Sequence, residues 1–292
     1  MNTNAPLRAI LLMTLGMAGF AASDTFVKLS TGLVPAGQIV AIMGTGGALI
    51  FGVLARFRGV RLFSRDILHP AILLRTVAEA TGTLGFVLAL QMTTLSVASA
   101  VIQANPLVVT LGAAVLLREP VGWRRWAAIM VGFVGVMVML KPDSSGVNSG
   151  ALMALVAVVG LSTRDLATRS VPARVPTVAL AAYGFAILVP AGIVVMAIGD
   201  GPRAIDGQSA LLLLGMIVFG SAAYMAMTAS IRLGDLSAVA PFRYTRLIFA
   251  FTLGAVVFGE RQSMSTLIGA AVVAAAGLYT LWRETRVRRY RA

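Results

Sequence analysis

Apolar runs of roughly 20 residues, the length needed to cross a bilayer as a helix, recur along the chain and are separated by short polar stretches. They predict ten membrane-crossing helices at about 7–28, 36–55, 69–90, 94–117, 124–140, 149–168, 176–198, 209–231, 235–258 and 264–282. Barrel strands would instead show segments of about 10 alternating residues. Because most connections are short, neighbouring helices must run antiparallel in one compact bundle. The expected class is therefore an all-α integral membrane protein. The first span, with Ala21–Ala22–Ser23 near its end, has the look of a signal peptide. Its match to 151–169 argues that it is retained as a helix.

The runs are related to one another. Shifting the chain by 141 positions lays "TLSVASAVIQANPLVVTLGAAVLLRE" (94–119) over "DLSAVAPFRYTRLIFAFTLGAVVFGE" (235–260). Leu95 meets Leu236, Ser96 meets Ser237 and Glu119 meets Glu260; Gly19 falls on Gly160 and Asp24 on Asp165 without a gap. An ungapped offset over most of the chain is an internal repeat, with units expected at 1–141 and 142–292. Each unit holds five spans, an odd number, so the second must cross the membrane in the opposite sense. Inverted repeats of this kind frame many secondary transporters, with the site near the midplane between the halves.

Composition narrows the possibilities. The 292 residues are 58% hydrophobic and 12% charged, with mean hydropathy +0.89, more apolar surface than a soluble domain could bury. Cysteine is absent, which removes disulfides, thiolate metal sites and thiol nucleophiles. The single histidine, His69, stands before Pro70 at an expected helix entrance and is read as structural. The two lysines, Lys28 and Lys141, precede Leu29 and Pro142, so neither belongs to a phosphate-binding G-K-[ST] loop, and any work must draw on a gradient. The net charge of +13 does not point to nucleic acid. With the N-terminus inside, sixteen arginines flank the inner ends of the spans against four basic residues outside, the asymmetry of a cytoplasmic-membrane protein with both termini in the cytoplasm.

The polar residues left within the spans are few. Arg75, Glu79 and Thr83 share one face of the third span at i, i+4, i+8; Ser221, Tyr224 and Thr228 form a comparable stripe on the eighth. Gln103 and Asn105 precede Pro106, and the repeat places them on Tyr244 and Arg246, beside Arg243 and Pro241. Asp24 and Asp165 close the first and sixth spans, the latter beside Arg164. A membrane arginine or carboxylate costs at least about 2.5 kcal/mol on insertion scales, so these groups must face the bundle interior or water. Arg75–Glu79 reads equally as a structural i, i+4 staple or as part of a site. Arg243 and Arg246 have no acid on their own helix between Asp235 and Glu260 and are expected to face a cavity, where they would meet the substrate carboxylate. Four arginines against Asp24, Glu79 and Asp165 leave one cation in excess, which suits a zwitterion or small organic anion better than a metal cation. Tyr224 and Tyr244 are candidates to stack on the substrate; Asp24, Glu79 and Asp165 are candidates for its ammonium group or a coupling proton. No catalytic residue, metal site or cofactor is implied.

Small residues read as packing faces: Gly44, Gly46 and Gly47 on the second span, Ala128 and Gly132 on the fifth, and Gly269, Ala270, Ala274 and Gly277 on the tenth, the last a possible homodimer contact. Pro106, Pro190 and Pro241 are expected kinks. Glu119 and Glu260 read as capping or loop-pairing residues at opposite membrane faces.

With ten spans in two five-helix halves, a fourth helix in each half ending in glutamate ("PLVVTLGAAVLLRE", "LGAVVFGE") and a small-residue fifth helix after it ("AAIMVGFVGVMVML", "LIGAAVVAAAGLYTL"), the chain resembles the EamA group of the drug/metabolite transporter superfamily. The second copy departs from the pattern at Leu247, which stands where the first has Pro106. The resemblance implies an alternating-access carrier, and the YddG-like exporters of aromatic and other amino acids are the most similar type. On this expectation the partners are the lipid bilayer and a small-molecule substrate, an amino acid foremost. A nucleobase, vitamin or drug cation is the alternative, and a membrane-embedded enzyme a remote one. The cysteine-free background allows a direct check of topology. A membrane-impermeant maleimide applied to intact cells is expected to label Ser144→Cys and to spare Thr3→Cys and Ala292→Cys until the membrane is opened.

Overall fold

The computed structural model describes residues 5–118, 122–140, 148–199, 201–233 and 239–291, with backbone alone at 5–6 and beyond Arg283. Among these residues ten helices are long and apolar enough to cross a membrane: α1 (Leu7–Ser30), α2 (Ala36–Phe57), α3 (Pro70–Met92), α4 (Leu95–Val115), α5 (Trp123–Leu140), α6 (Ser149–Arg169), α7 (Thr177–Ile198), α8 (Gly207–Leu233), α9 (Ala240–Phe258) and α10 (Met264–Arg283). Each corresponds to an expected span. Glu119, Lys141 and the start of the expected ninth span lie outside the described residues.

Local chemistry sets the helix starts. His69 Nδ1 accepts the Ala71 N–H at 3.2 Å, with Pro70 in the first turn where its missing N–H does no harm. Thr94 Oγ1 accepts from Val97 N and Asn148 Oδ1 from Ala151 N, each at 3.2 Å. Glu260 is a cap, but of a different helix. Its carboxylate accepts from Leu95 N (2.7 Å), Ser96 N (3.1 Å) and Ser96 Oγ (2.6 Å), neutralising the N-terminal dipole of α4 from the far end of α9. Beside it Lys28 Nζ donates to Leu90 O and Thr93 O and lies over the Phe258 ring, so this end of the bundle is tied across the two halves.

The repeat reappears as a packing pattern. α3 lies along α6 and α1 along α8; α2 faces α7, α4 faces α9 and α5 faces α10; α1 meets α9 as α6 meets α4. A rotation that exchanges the halves maps every one of these pairs onto another pair or onto itself, the inverted arrangement. The main core accordingly mixes both halves, from Ile39, Leu95 and Leu107 to Ala154, Leu188 and Val273. Leu15, Leu49, Val53, Val131, Ile248 and Val256 are more than half exposed and form the lipid-facing surface.

Helices in lipid gain little from apolar burial and associate by close van der Waals approach. Gly37 and Gly192 carry the α2–α7 crossing: a Cβ on Gly37 would stand 2.7 Å from Gly192 O, and one on Gly192 2.5 Å from Ala41 N. Gly44, Gly46 and Gly47 abut Leu188, Ile217 and Phe185, so they are a packing face as expected. The small-residue face of α10 also works inside the chain. Gly269 sits on Gly135 O and Met139, and Gly277 under Tyr244, so the face considered for a homodimer is occupied by α5 and α9.

Gly192→Val is expected to prevent the α2–α7 crossing and abolish a monodisperse peak in detergent chromatography. Gly52→Val, where a Cβ meets nothing within 4 Å, is expected to leave that peak intact.

Candidate substrate site at the crossing of α4 and α9

Three of the ten helices are interrupted. α4 breaks after Ile102, where Gln103 and Ala104 bond to Ala100 O and Val101 O in 3₁₀ fashion before the helix resumes at Asn105. Pro106 has no N–H to offer Ile102 O. α9 begins as a 3₁₀ turn, Ala240–Tyr244, and becomes α-helical at Thr245. α7 breaks at Ile187, ahead of Pro190. The interruptions of α4 and α9 fall at equivalent places in the repeat although their prolines do not, so the kink does move to Pro241 in the second copy. They also touch: Gln103 Nε2 donates to Arg243 O at 3.2 Å. Discontinuous helices meeting between inverted halves are where carriers place substrates, because the freed backbone groups need polar partners.

Around this crossing the polar side chains form two clusters. In the first, Glu79 accepts from Arg164 at 2.8 Å and faces Arg75 at 3.5 Å. Arg164 continues to Asp165 Oδ1 at 2.8 Å. Asp165 Oδ2 accepts from Asn105 Nδ2 at 2.9 Å, and Asn105 Oδ1 accepts from Ser162 Oγ at 2.6 Å. Arg75 is buried and anchored by donations to Thr168 Oγ1 and Leu180 O. In the second cluster, Arg246 donates to Asp24 Oδ2 at 2.6 and 3.2 Å, its guanidinium lying over the rings of Phe20 and Phe86.

The clusters are versions of one contact. The repeat equates Asp24 with Asp165 and Arg246 with Asn105, so the same helix-to-helix junction is ionic in one half and a carboxylate–amide bond in the other. The Arg75–Glu79–Arg164 triad has no counterpart, because the equivalent positions are Met216, Gly220 and Ser23. There Ser23 Oγ bonds to Met216 O instead.

The sequence expectations divide accordingly. Arg246 was expected to face a cavity and meet the substrate carboxylate beside Arg243; the structure pairs its guanidinium with Asp24, an acid 222 positions away that its own helix could not reveal. Tyr244 was a candidate to stack on the substrate; its ring lies in the core with its hydroxyl directly over Gly277, away from the clusters. The Arg75–Glu79 staple exists, but Glu79 leans more closely on Arg164. Arg243 has no carboxylate within 4 Å among the described residues and is half-buried, close enough for its charge to act on Asp165. Tyr224 lies within electrostatic reach of the first cluster and packs edge-on against Phe51 at 5.1 Å and Phe185 at 6.3 Å. Thr83 is half-buried on the Arg75–Glu79 face. Ser162, Phe20, Phe86, Phe51 and Phe185 were not anticipated. Ser162 alone left a signal, one helical turn before Asp165. An apolar furrow of about 510 Å³ between α3 and α6, lined by Leu74, Val77, Leu152, Val156 and Val159, opens on the lipid side and holds none of these groups.

Comparison with known proteins decides the family. The EamA-like transporter family model matches residues 7–141 and again 148–282, two stretches with the same 141-residue offset. The chain belongs to the EamA-like transporter family. It is 28% identical over 194 residues to a riboflavin transporter of Vibrio cholerae, the match spanning 66% of this chain and 64% of that protein. It is 25% identical to an S-adenosylmethionine uptake transporter of Rickettsia prowazekii, over 76% of this chain and 74% of that one. It is 26% identical to the pseudopaline exporter CntI of Pseudomonas aeruginosa, over 91% and 93%. A solved crystal structure superposes with a TM-score of 0.66 at 21% identity, covering 96% of this chain and 98% of the other, which shows the shared fold. This EamA protein is thus a multi-pass membrane transporter of the drug/metabolite superfamily for a small molecule.

Asp24→Asn is expected to leave Arg246 unanswered between Phe20 and Phe86, at a cost of about 3 kcal/mol for breaking a buried pair, read as earlier thermal unfolding in detergent. The double variant D24N/R246N should recover much of that loss, because it rebuilds a neutral junction.

Proposed function

We propose that this EamA protein exports amino acids, aromatic and other neutral ones foremost, by alternating access across the cytoplasmic membrane, with both termini inside. The observation that carries the reading is Arg243. Within the bundle Arg75 and Arg164 stand against Glu79 and Asp165 in the first cluster, Asp24 and Arg246 balance each other, and Arg243 lies near Asp165 without an ion pair to it. The excess cation is the arginine without a carboxylate partner among the described residues. It stands at the junction of α4 and α9, where a substrate carboxylate would meet a planar, bidentate donor. Asp165, the most exposed of the three acids at 27%, is the counterpart for an ammonium group or a coupling proton; Glu79 and Asp24 are held more tightly by arginines. Gln103, Asn105 and Thr83 supply polar edges beside it. Arg246, Arg75 and Tyr244 act as framework in this reading. A transport site of this kind is complete within one chain. A dimer through α10, if formed, would use its lipid-facing Leu267, Ile268 and Leu278 and not its glycines.

A second reading, a carrier of a flat aromatic metabolite such as a vitamin or nucleobase, draws on the Phe51–Phe185–Tyr224 group and on the riboflavin transporters among the relatives.

Purified protein in liposomes is expected to exchange labelled phenylalanine for unlabelled amino acids. Arg243→Gln should reduce that counterflow at least tenfold at unchanged thermal stability, and Arg243→Lys should keep part of it. Full activity of Arg243→Gln would remove the carboxylate assignment. Exchange that ignores amino acids but follows riboflavin would favour the second reading.

A further inference from the structure

The connection between α2 and α3 is not an ordinary polar loop. Arg56, Arg58, Arg61 and Arg65 are all exposed, and Phe57 and Phe63 between them and Leu68 just after are 85%, 96% and 69% exposed. Exposed phenylalanine and leucine set among arginines at the end of a membrane helix suit the headgroup/acyl boundary, where apolar rings bury while the cations stay at the headgroups.

The segment is also held in place. Asp66 accepts from Arg174, on the α6–α7 connection, at 2.5 and 3.0 Å; this hydrogen bond holds its carboxyl below the ordinary range, so it stays ionised and engaged. Tyr183 Oη donates to Leu62 O at 2.5 Å, Val60 N to Ala55 O at 2.9 Å, and Val60 and Leu62 pack on Phe51, Ile72 and Leu180. Asp66 is the one acid in 56–69 by sequence. The four arginines have no carboxylate within 4 Å among the described residues.

The inverted copy provides an internal control. Its equivalent connection, 197–210, holds one arginine, Arg203, and two acids, Asp200 and Asp206. The fold therefore does not require basic residues in this connection. The positive-inside bias accounts for the sign of the charge but not for two phenylalanines exposed among the arginines on a pinned backbone.

We propose that this face binds the headgroup of an anionic phospholipid of the inner leaflet. Arg58 and Arg61, with Arg56 and Arg65 beside them, would grip the phosphodiester through paired N–H donors, while Phe57 and Phe63 enter the acyl boundary. Through the Asp66–Arg174 pair, a bound lipid braces the inner ends of α2 and α3 against the second half.

The test is native mass spectrometry of the full-length protein, titrated in detergent with dioleoyl phosphatidylglycerol against dioleoyl phosphatidylcholine. The wild type is expected to retain phosphatidylglycerol selectively. Arg58→Gln/Arg61→Gln should weaken that retention at least fivefold, and Phe63→Ser, a change at an exposed position, should weaken it about threefold. Arg286→Gln/Arg288→Gln, which removes the same charge from the C-terminal tail, should leave it unchanged. Equal loss in both arginine pairs would reduce the effect to bulk charge and overturn the site, as would no loss in Arg58→Gln/Arg61→Gln or in Phe63→Ser. Full displacement of the lipid by millimolar inorganic phosphate would identify a phosphate site instead and overturn the lipid assignment.

Discussion

A guanidinium placed inside a bilayer must be answered by an acid, an aromatic face, a carbonyl or a cavity, and the interior of this bundle is arranged around that demand. Arg75 finds carbonyl and hydroxyl oxygens, Arg164 two carboxylates, Arg246 an aspartate between two phenyl rings. Apart from Arg164–Asp165, which lies within α6, these contacts join helices of opposite halves, so they also tie α1 to α9 and α3 to α6. Arg243 is left over from this matching, with no carboxylate within 4 Å among the described residues, and the proposed substrate site is centred on it for that reason.

The inverted repeat supplies the geometry in which such matching is possible. Two copies of one five-helix unit meet in antiparallel pairs, and their interrupted fourth helices cross where the backbone has hydrogen-bonding capacity to spare. Divergence has then worked on equivalent positions separately. One Asp junction has an amide partner and the other a guanidinium; one half carries an Arg–Glu–Arg triad where the other has Met, Gly and Ser. The two halves therefore present different side chains at symmetric positions of one scaffold.

Much of this was legible in the chain. The spans, the repeat, the glycine faces, the structural place of His69 at a helix entrance and the short roster of membrane-embedded polar residues follow from periodicity and composition, because the bilayer penalises any helix that is too short or any charge without purpose. The roles within that roster were less legible. Arg243 and Arg246 are one turn apart and looked alike, yet across the change from 3₁₀ to α geometry at Tyr244–Thr245 one meets Asp24 and the other has no carboxylate partner among the described residues. Tyr244 looked like a stacking residue until Gly277, on another helix, turned out to lie beneath it. Glu260 read as a cap for its own surroundings, and it caps α4.

The sequence by itself determined class, span number, internal symmetry and family resemblance, since each is a property of local hydrophobicity or of one copy compared with the other. Only the tertiary structure decided which charges cancel. Ion pairing inside the bundle depends on which helices touch and on how each break rotates the next side chain, and those partners lie as far as 222 positions apart in the chain.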